Sequence, residues 1–467
     1  MAASATDPLR KTDPFMPLSL PLLAALAPGH RYTIVDMFRD DDVKPDDPVD
    51  LVGISVRLTS ENTAYGLAAE FRKRKVPVVL GGPQVSSVPF RAIEYADAVA
   101  VGEAEQLWPK IVEDAASGAL KKFYVCSPQP FVAPGYSVYQ VSGYPDLSDL
   151  PVANRRLMKY RYTFDTVFAM RGCPVGCDFC AVPEIFGREY RMRPVEKVVE
   201  EIRTFRNYYY LLDDTVFGRP LTYDYYLRLY DKIVKLRKRR YWTGQGNLDA
   251  TFSEKGREVI RRARDSGLLY AAIGMESVNP PTLDRSGSIR KTGVKAGSET
   301  LDKMKESIRF IQDCGIIVSG WFVVGYEDDT ADTYYRTLDF CKEMRIIPAI
   351  FPVKALPSTT LYRRLEKEGK LDDNRLINFR NPAIDDNDVF KALASIQKQG
   401  FSLKNILLRT EYMMRRFGYD WIHKTIFSLV LQFRMRGGMD VSHDDFYREA
   451  PKNEKVKRIE TTVRADE

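Results

Sequence analysis

Apolar and polar positions fall into two series of short apolar runs separated by stretches of helical spacing. The first series holds residues 32–36, 51–56, 76–80 and 96–101, each ending in or running into Gly, Ser or Asp, with a helical stretch over 62–74. Runs that are apolar throughout, rather than alternating, predict strands buried on both faces, as in a doubly wound parallel sheet. Ligands of such sheets lie at the carboxyl ends of the strands. Those ends here carry Ser55, Thr59, Gly81, Gly82, Gly102 and Glu103.

Residues 126–165 are rich in Pro, Gly, Ser and Tyr and form an expected connector between two units. The second series holds runs at 166–170, 208–212, 241–245, 270–274, 317–324 and 349–353. Between them lie helical segments; one starts at Pro194 and keeps Val195, Val198, Val199 and Ile202 on one face. Six such units predict a (β/α)6 partial TIM barrel over 166–380, whose active site belongs at the strand C-termini. The N-terminal sheet occupies 1–125, and 381–467 should be helical with a charged tail.

The chain has 467 residues, 44% hydrophobic and 28% charged, which excludes disorder, collagen or coiled coil as whole-chain readings. The apolar stretch 17–28 is too short for a bilayer, which takes about 20 residues, and no signal-peptide cleavage pattern follows it. A soluble, cytoplasmic protein without a transmembrane segment is expected. A net charge of +7 is mild. The basic runs 72–75 and 235–240 each follow a helical segment and are taken as solvated helix ends, so no nucleic-acid partner is expected. Three His, scattered at 30, 423 and 443, weigh against imidazole chemistry. Of six Cys, Cys126, Cys314 and Cys341 stand alone, whereas Cys173, Cys177 and Cys180 fall within eight residues.

That triplet, Cys173-Pro-Val-Gly-Cys177-Asp-Phe-Cys180, follows the run ending at Met170-Arg171-Gly172. Structural zinc is normally closed by four ligands, and no nearby Cys or His supplies a fourth. A 4Fe–4S cube usually takes four cysteines, so three would leave one iron open. An open iron at a barrel mouth is a catalytic arrangement.

C-x3-C-x2-C after the first strand of a βα series, with Arg171-Gly-Cys-Pro before Phe186-Gly-Arg-Glu-Tyr-Arg-Met-Arg-Pro194, resembles the radical S-adenosylmethionine (SAM) enzymes. The resemblance implies a 4Fe–4S cluster on the three cysteines, SAM chelated at the open iron, and cleavage to a 5′-deoxyadenosyl radical. It also implies cofactor-facing positions at Asp213 and Asp214, at Gln245, at Glu276 and Ser277, and at Gly325. The first series is similar to the cobalamin-binding domain that precedes the barrel in one large subgroup, through Asp50-Leu-Val-Gly-Ile-Ser-Val56, Val79-Leu-Gly-Gly-Pro83 and Val101-Gly-Glu-Ala-Glu105. No Asp-x-His-x-x-Gly segment is present to offer a histidine ligand to cobalt, and the subgroup commonly lacks it.

The implied activity is cobalamin-dependent C-methylation of an unactivated carbon in a small-molecule or peptide substrate, with an external electron donor such as flavodoxin or ferredoxin. Oxidative cyclisation or rearrangement with a vestigial cobalamin domain, and an iron–sulfur electron-transfer protein, stay open as alternatives. No catalytic side chain is assigned. The C-terminal aromatics Tyr412, Phe417, Tyr419, Trp421, Phe427 and Phe433, beside Arg409, Arg415 and Arg416, are taken as helix packing. Cover for a substrate at the barrel mouth, and peripheral membrane contact by 425–433, are the other readings. Residues 285–297 are read as a mobile loop.

Overall fold

A computed structural model describes residues 14–437 other than 38, 40–42, 45, 292–296, 298, 373–376 and 419–420. The expected charged tail, Tyr419 and His443 lie outside the described residues.

Strands β1 (Val52–Ser55), β2 (Val78–Gly81), β3 (Ala98–Val101), β4 (Phe123–Ser127) and β5 (Val138–Ser142) form one parallel sheet. Successive side chains point to opposite faces. Val78, Leu80 and Val99 therefore pack with Ala64, Ala68 and Phe71 of helix Glu61–Lys73. Val79, Ala98 and Ala100 pack on the other face with Leu107 and with Ile111 of helix Trp108–Ala116. Both faces are covered, as the apolar runs predict. The strand order, however, is β1-β2-β3-β4-β5 without reversal, so the sheet has no topological switch point. The expected strand at 32–36 is absent, because Asp36 is drawn off to the Tyr162 hydroxyl beside the barrel. Conversely, β5 arises inside the expected connector. Its residues are only half-buried at the sheet edge, so no apolar run marks it.

The second sheet has the order β13-β12-β11-β10-β9-β6, parallel throughout. Its strands are β6 (Phe164–Val167), β9 (Tyr208–Leu211), β10 (Tyr241–Gly246), β11 (Leu268–Glu276), β12 (Ile317–Val324) and β13 (Ile347–Pro352). A small hairpin, β7 (Met170–Arg171) with β8 (Arg191–Met192), is inserted after β6. The strand expected over 166–170 divides there: Asp213 Oδ1 accepts from Ala169 N at 2.7 Å and Met170 N at 3.0 Å, taking amides that would otherwise continue the ladder. The free edge of β6 is covered by the bridge from Phe15 to Phe164.

Helices Leu403–Met414 and Trp421–Gly437 lie at the N-terminal end of the strands, away from the mouth. Phe427 meets Phe164 and Tyr270, His423 stacks on Tyr241, and Tyr412, Met413 and Phe417 cluster with Ile317 and Ile347. Tyr412, Phe417 and Phe427 thus close the bottom of the barrel, Trp421 and Phe433 are exposed, and this end of the strands is not the mouth that these aromatics could have covered.

Candidate active site

The cysteine loop crosses the barrel mouth and is tied to three strand exits. Asp178 N donates to Ser286 O beyond β11 at 3.0 Å, and the Tyr326 hydroxyl beyond β12 donates to Asp178 Oδ1 at 2.9 Å. Leu361 N beyond β13 donates to Asp178 O at 2.8 Å. Arg290 adds a bond to Val175 O at 2.8 Å. The start of the 285–297 insert is therefore pinned against the loop, and its central residues lie outside the described set.

Cys177 is buried, with Cys173 and Cys180 nearly so. Burial pushes the Cys177 thiol up to about 12 and Cys180 up to about 11, and raises Cys173. Cys177 also feels the charge of Cys180 and Cys173, Cys180 feels that of Cys173, and all three feel the Lys291 ammonium, which favours thiolate. Among the described residues no three Cys, His, Asp or Glu side chains form a cage for a single ion. Ligands that each serve a different iron of one cube need no such crowding. Three largely buried thiols on one loop, with no fourth among the described residues, suit a cube with one open iron better than a closed zinc site.

Lys291, which sequence reasoning passed over inside a Gly/Ser/Lys-rich insert, is the central cation here. Its Nζ lies 2.6 Å from Glu276 Oε1, with side chains 16% and 9% exposed. Glu276 has φ 63°, a left-handed conformation unusual for a non-glycine residue and often found at functional sites. It sits where the β11–β12 register shifts. Asp214 also faces this group: burial pushes its carboxyl up to about 6, against the pull of Lys291 and Arg171.

The other expected positions differ in how far local bonds already occupy them. Asp213 is fully used, since its second oxygen accepts from the Tyr226 hydroxyl at 2.9 Å. Ser277 Oγ accepts from Asn279 N at 3.0 Å and closes a turn. Gln245 is half-buried and meets the Tyr210 hydroxyl. Gly325 takes φ 117°, with its N–H on Asp329 Oδ2 at 2.9 Å.

The strand ends of the first sheet face the same mouth. Glu103, expected as a cofactor contact, is instead buried between the guanidiniums of Arg171 and Arg191 on the β7–β8 hairpin. Arg171 also pairs with Glu105 at 2.6 Å and stands two residues before Cys173. Arg171 holds the Glu105 carboxyl low despite burial, whereas burial raises Glu103. A second link joins Ser87 Oγ to Ser358 Oγ at 3.1 Å. Gly82 and Gly102 are explained by local backbone: at φ 102° and 83°, an added Cβ would lie 2.8 Å from Val56 O and 2.3 Å from Cys126 O. Gly81 makes only ordinary contacts. Ser55 is half-buried and Thr59 exposed beside them.

Inside the barrel, alternation along β12 and β13 turns Phe322 and Ile350 out to the core and Trp321 and Phe351 inward. These two rings are 38% and 43% exposed despite their place in the sheet, with centroids 5.6 Å apart. Their exposure marks an open, aromatic-lined lumen.

Residues 167–341 match the Radical SAM superfamily. A bacteriochlorophyllide d C-8(2)-methyltransferase of Chlorobaculum tepidum is 26% identical over 423 residues, covering 86% of this chain and 89% of the relative. A hopanoid C-2 methylase of Rhodopseudomonas palustris is 26% identical over 351 residues, covering 72% and 61%. Among solved structures, the radical SAM methyltransferase TsrM from Kitasatospora setae, with cobalamin and a [4Fe-4S] cluster bound, superposes with TM-score 0.59 at 16% identity, covering 76% of each chain. The cobalamin-dependent radical SAM enzyme OxsB, with aqua-cobalamin and SAM bound, gives TM-score 0.65 at 14% identity, covering 91% and 69%. At those identities the likeness to solved structures is one of fold.

Proposed function

This chain carries a radical SAM domain in its barrel, and from that premise we propose that it is a cobalamin-dependent methyltransferase acting on an unactivated carbon of a planar, hydrophobic substrate. Cys173, Cys177 and Cys180 would each hold one iron of a 4Fe–4S cluster, leaving the fourth for SAM. When bound, cluster and SAM supply a 5′-deoxyadenosyl radical and cobalamin carries the methyl group, with the electron coming from a donor such as flavodoxin or ferredoxin. Lys291 offsets the negative charge that three thiolates bring into a buried site, and Glu276 fixes it there. Asp214, Gln245, Glu276 and Gly325 are the residues we assign to SAM. Ser55 and Thr59, free of the clamps that occupy Glu103, are those we assign to cobalamin.

The observation that carries this reading is the convergence of the two sheets. Glu103, at a strand end of the first, grips Arg171, two residues before the first cysteine of the loop on the second. A cofactor held at those strand ends would look onto the cysteine loop. The aromatic lumen favours a flat apolar substrate, and the chlorophyll-type tetrapyrrole of the relative in Chlorobaculum tepidum is the first class to assay.

The test is anaerobic reconstitution with iron, sulfide and hydroxocobalamin, then incubation with reductant, a tetrapyrrole and SAM labelled in its methyl group. Expected products are 5′-deoxyadenosine and a labelled methyl on the substrate. Absence of 5′-deoxyadenosine would overturn the reading. Its formation without retained corrin would favour the second reading, radical cyclisation or rearrangement beside a vestigial domain. The unreversed strand order of the first sheet supports that alternative.

A further inference from the structure

We propose that the barrel face opposite the active site docks on an anionic lipid bilayer through helix Trp421–Gly437. Phe427, Leu431 and Met435 pack this helix on the barrel, yet three polar residues are buried beside them and a second apolar stripe is left facing out. Lys424, Ser428 and Gln432 are buried at 3%, 2% and 0% exposure. Lys424 Nζ donates to Gly315 O at 2.8 Å, and Gln432 is held by Arg409 Nε at 2.7 Å and by Ser428 Oγ at 3.0 Å. Ile422, Ile426, Val430 and Phe433 form a stripe at helical spacing on the opposite side, 53%, 56%, 54% and 46% exposed. An outward stripe of β-branched and aromatic side chains gains nothing from water, and a monomer normally buries such a contiguous patch against something.

The surroundings identify that something by charge. His423 stacks on Tyr241 at the start of β10, which places the helix beside the basic run 235–240. On the neighbouring strands of the same face lies a cleft of about 1060 Å³ whose lining includes Arg31, Arg155, Arg156, Arg161 and Arg206 but only one carboxylate, Asp165. Arg155 is paired with the buried Glu201 at 2.5 Å, whereas among the described residues Arg156 and Arg161 make no ion pair. A hydrocarbon-seeking stripe flanked by unneutralised guanidiniums fits the acyl–headgroup boundary of a membrane bearing phosphate anions. The helix has 17 residues, and no helix among those described is long and apolar enough to cross a bilayer, so it would lie in the plane of the interface. A nucleic acid would use the cations but leave the stripe's hydrocarbon without a matching phase, and a protein partner would cover the stripe without any need for anionic lipid, which the vesicle test separates. This inference is independent of the methyl-transfer reading, since the cysteine loop sits at the other end of the strands.

Flotation of the reconstituted full-length protein with phosphatidylcholine vesicles, with and without phosphatidylglycerol, tests it. Binding should need the anionic lipid and weaken with added salt. The double variant Ile426→Glu/Val430→Glu should reduce partitioning by roughly tenfold or more, and Arg156→Glu/Arg161→Glu by a similar factor. All four side chains are exposed or line an open cleft, so circular dichroism and the thermal midpoint should be unchanged; 5′-deoxyadenosine formation in solution should be unchanged too. The proposal is overturned by no vesicle uptake, by uptake indifferent to phosphatidylglycerol, or by Ile426→Glu abolishing a dimer of a protein that ignores vesicles. Retention on an RNA or DNA oligonucleotide without vesicle binding would overturn it equally.

Discussion

Replacing Glu103 by Gln keeps the shape of the side chain and removes the charge that two guanidiniums share. The Glu103 side chain is 1% exposed, and those of Arg171 and Arg191 are 16% and 18% exposed. Taking one partner from a pair this buried typically costs about 3–5 kcal/mol, because the remaining charge is left without compensation. Two features reduce the loss here. Arg171 keeps Glu105 at 2.6 Å, and Arg191 keeps the carbonyls of Pro145 at 2.9 Å and Phe186 at 3.1 Å. With part of the pairing retained, Glu103→Gln should cost about 1.5–3 kcal/mol. The exposed Lys73–Glu70 pair at 2.6 Å is the control; Glu70→Gln should fall in the range of about 0–1 kcal/mol typical of surface pairs. Urea unfolding followed by far-ultraviolet circular dichroism gives both numbers. A double-mutant cycle of Glu103→Gln with Arg191→Met isolates the pair, with an expected coupling of about 1–3 kcal/mol. If Glu103→Gln costs no more than Glu70→Gln, or the coupling lies within about 0.5 kcal/mol of zero, Glu103 is not what joins the two sheets.

Cys173→Ala, Cys177→Ala and Cys180→Ala should each abolish 5′-deoxyadenosine formation, while Cys314→Ala, outside the loop, should not; one fully active loop variant sinks the cluster assignment. Lys291→Met strands the Glu276 carboxylate and should destabilise the apoprotein by about 2–4 kcal/mol, a loss that adding Glu276→Gln largely restores. If the double variant is as unstable as the single, the two side chains are not a pair. Burial pushes Asp213 up to about 7 and Asp249 up to about 6, against about 4 for a free Asp. The folded apoprotein therefore holds protons that the unfolded chain has released, and stability should fall as pH rises between about 4 and 7. Urea midpoints measured across that interval check this; Asp249→Asn should flatten the slope, and a rise in stability with pH would refute it.

The strands and the cysteine loop were legible because one signal, a short apolar run or a tight thiol spacing, needs no knowledge of what lies opposite. The pairings were not. Asp213 and Asp214 differ by a single position, which turns them to opposite sides of the chain: one is consumed by Ala169, Met170 and Tyr226, the other faces Lys291. Adjacency in sequence gave no means to choose between them. Glu103 stands at a strand end where a ligand contact is expected. Only the fold brings Arg171 and Arg191, 68 and 88 positions away, onto its oxygens. Helix Trp421–Gly437 shows the same limit more sharply. It is apolar around most of its circumference, so periodicity does not say which side is the inside, and the ordinary assumption buries Ile426 and Val430. The structure buries Lys424 and Gln432 instead, because the carbonyl of Gly315 and the guanidinium of Arg409 await them. A polar side chain whose bonds are waiting at a barrel's closed end competes successfully with a methyl-rich one for that space, since an unmade bond there is more costly than an exposed isoleucine. What that choice leaves outside is an apolar stripe beside arginines, and that combination, rather than the helix's own sequence, is the reason to look for a membrane.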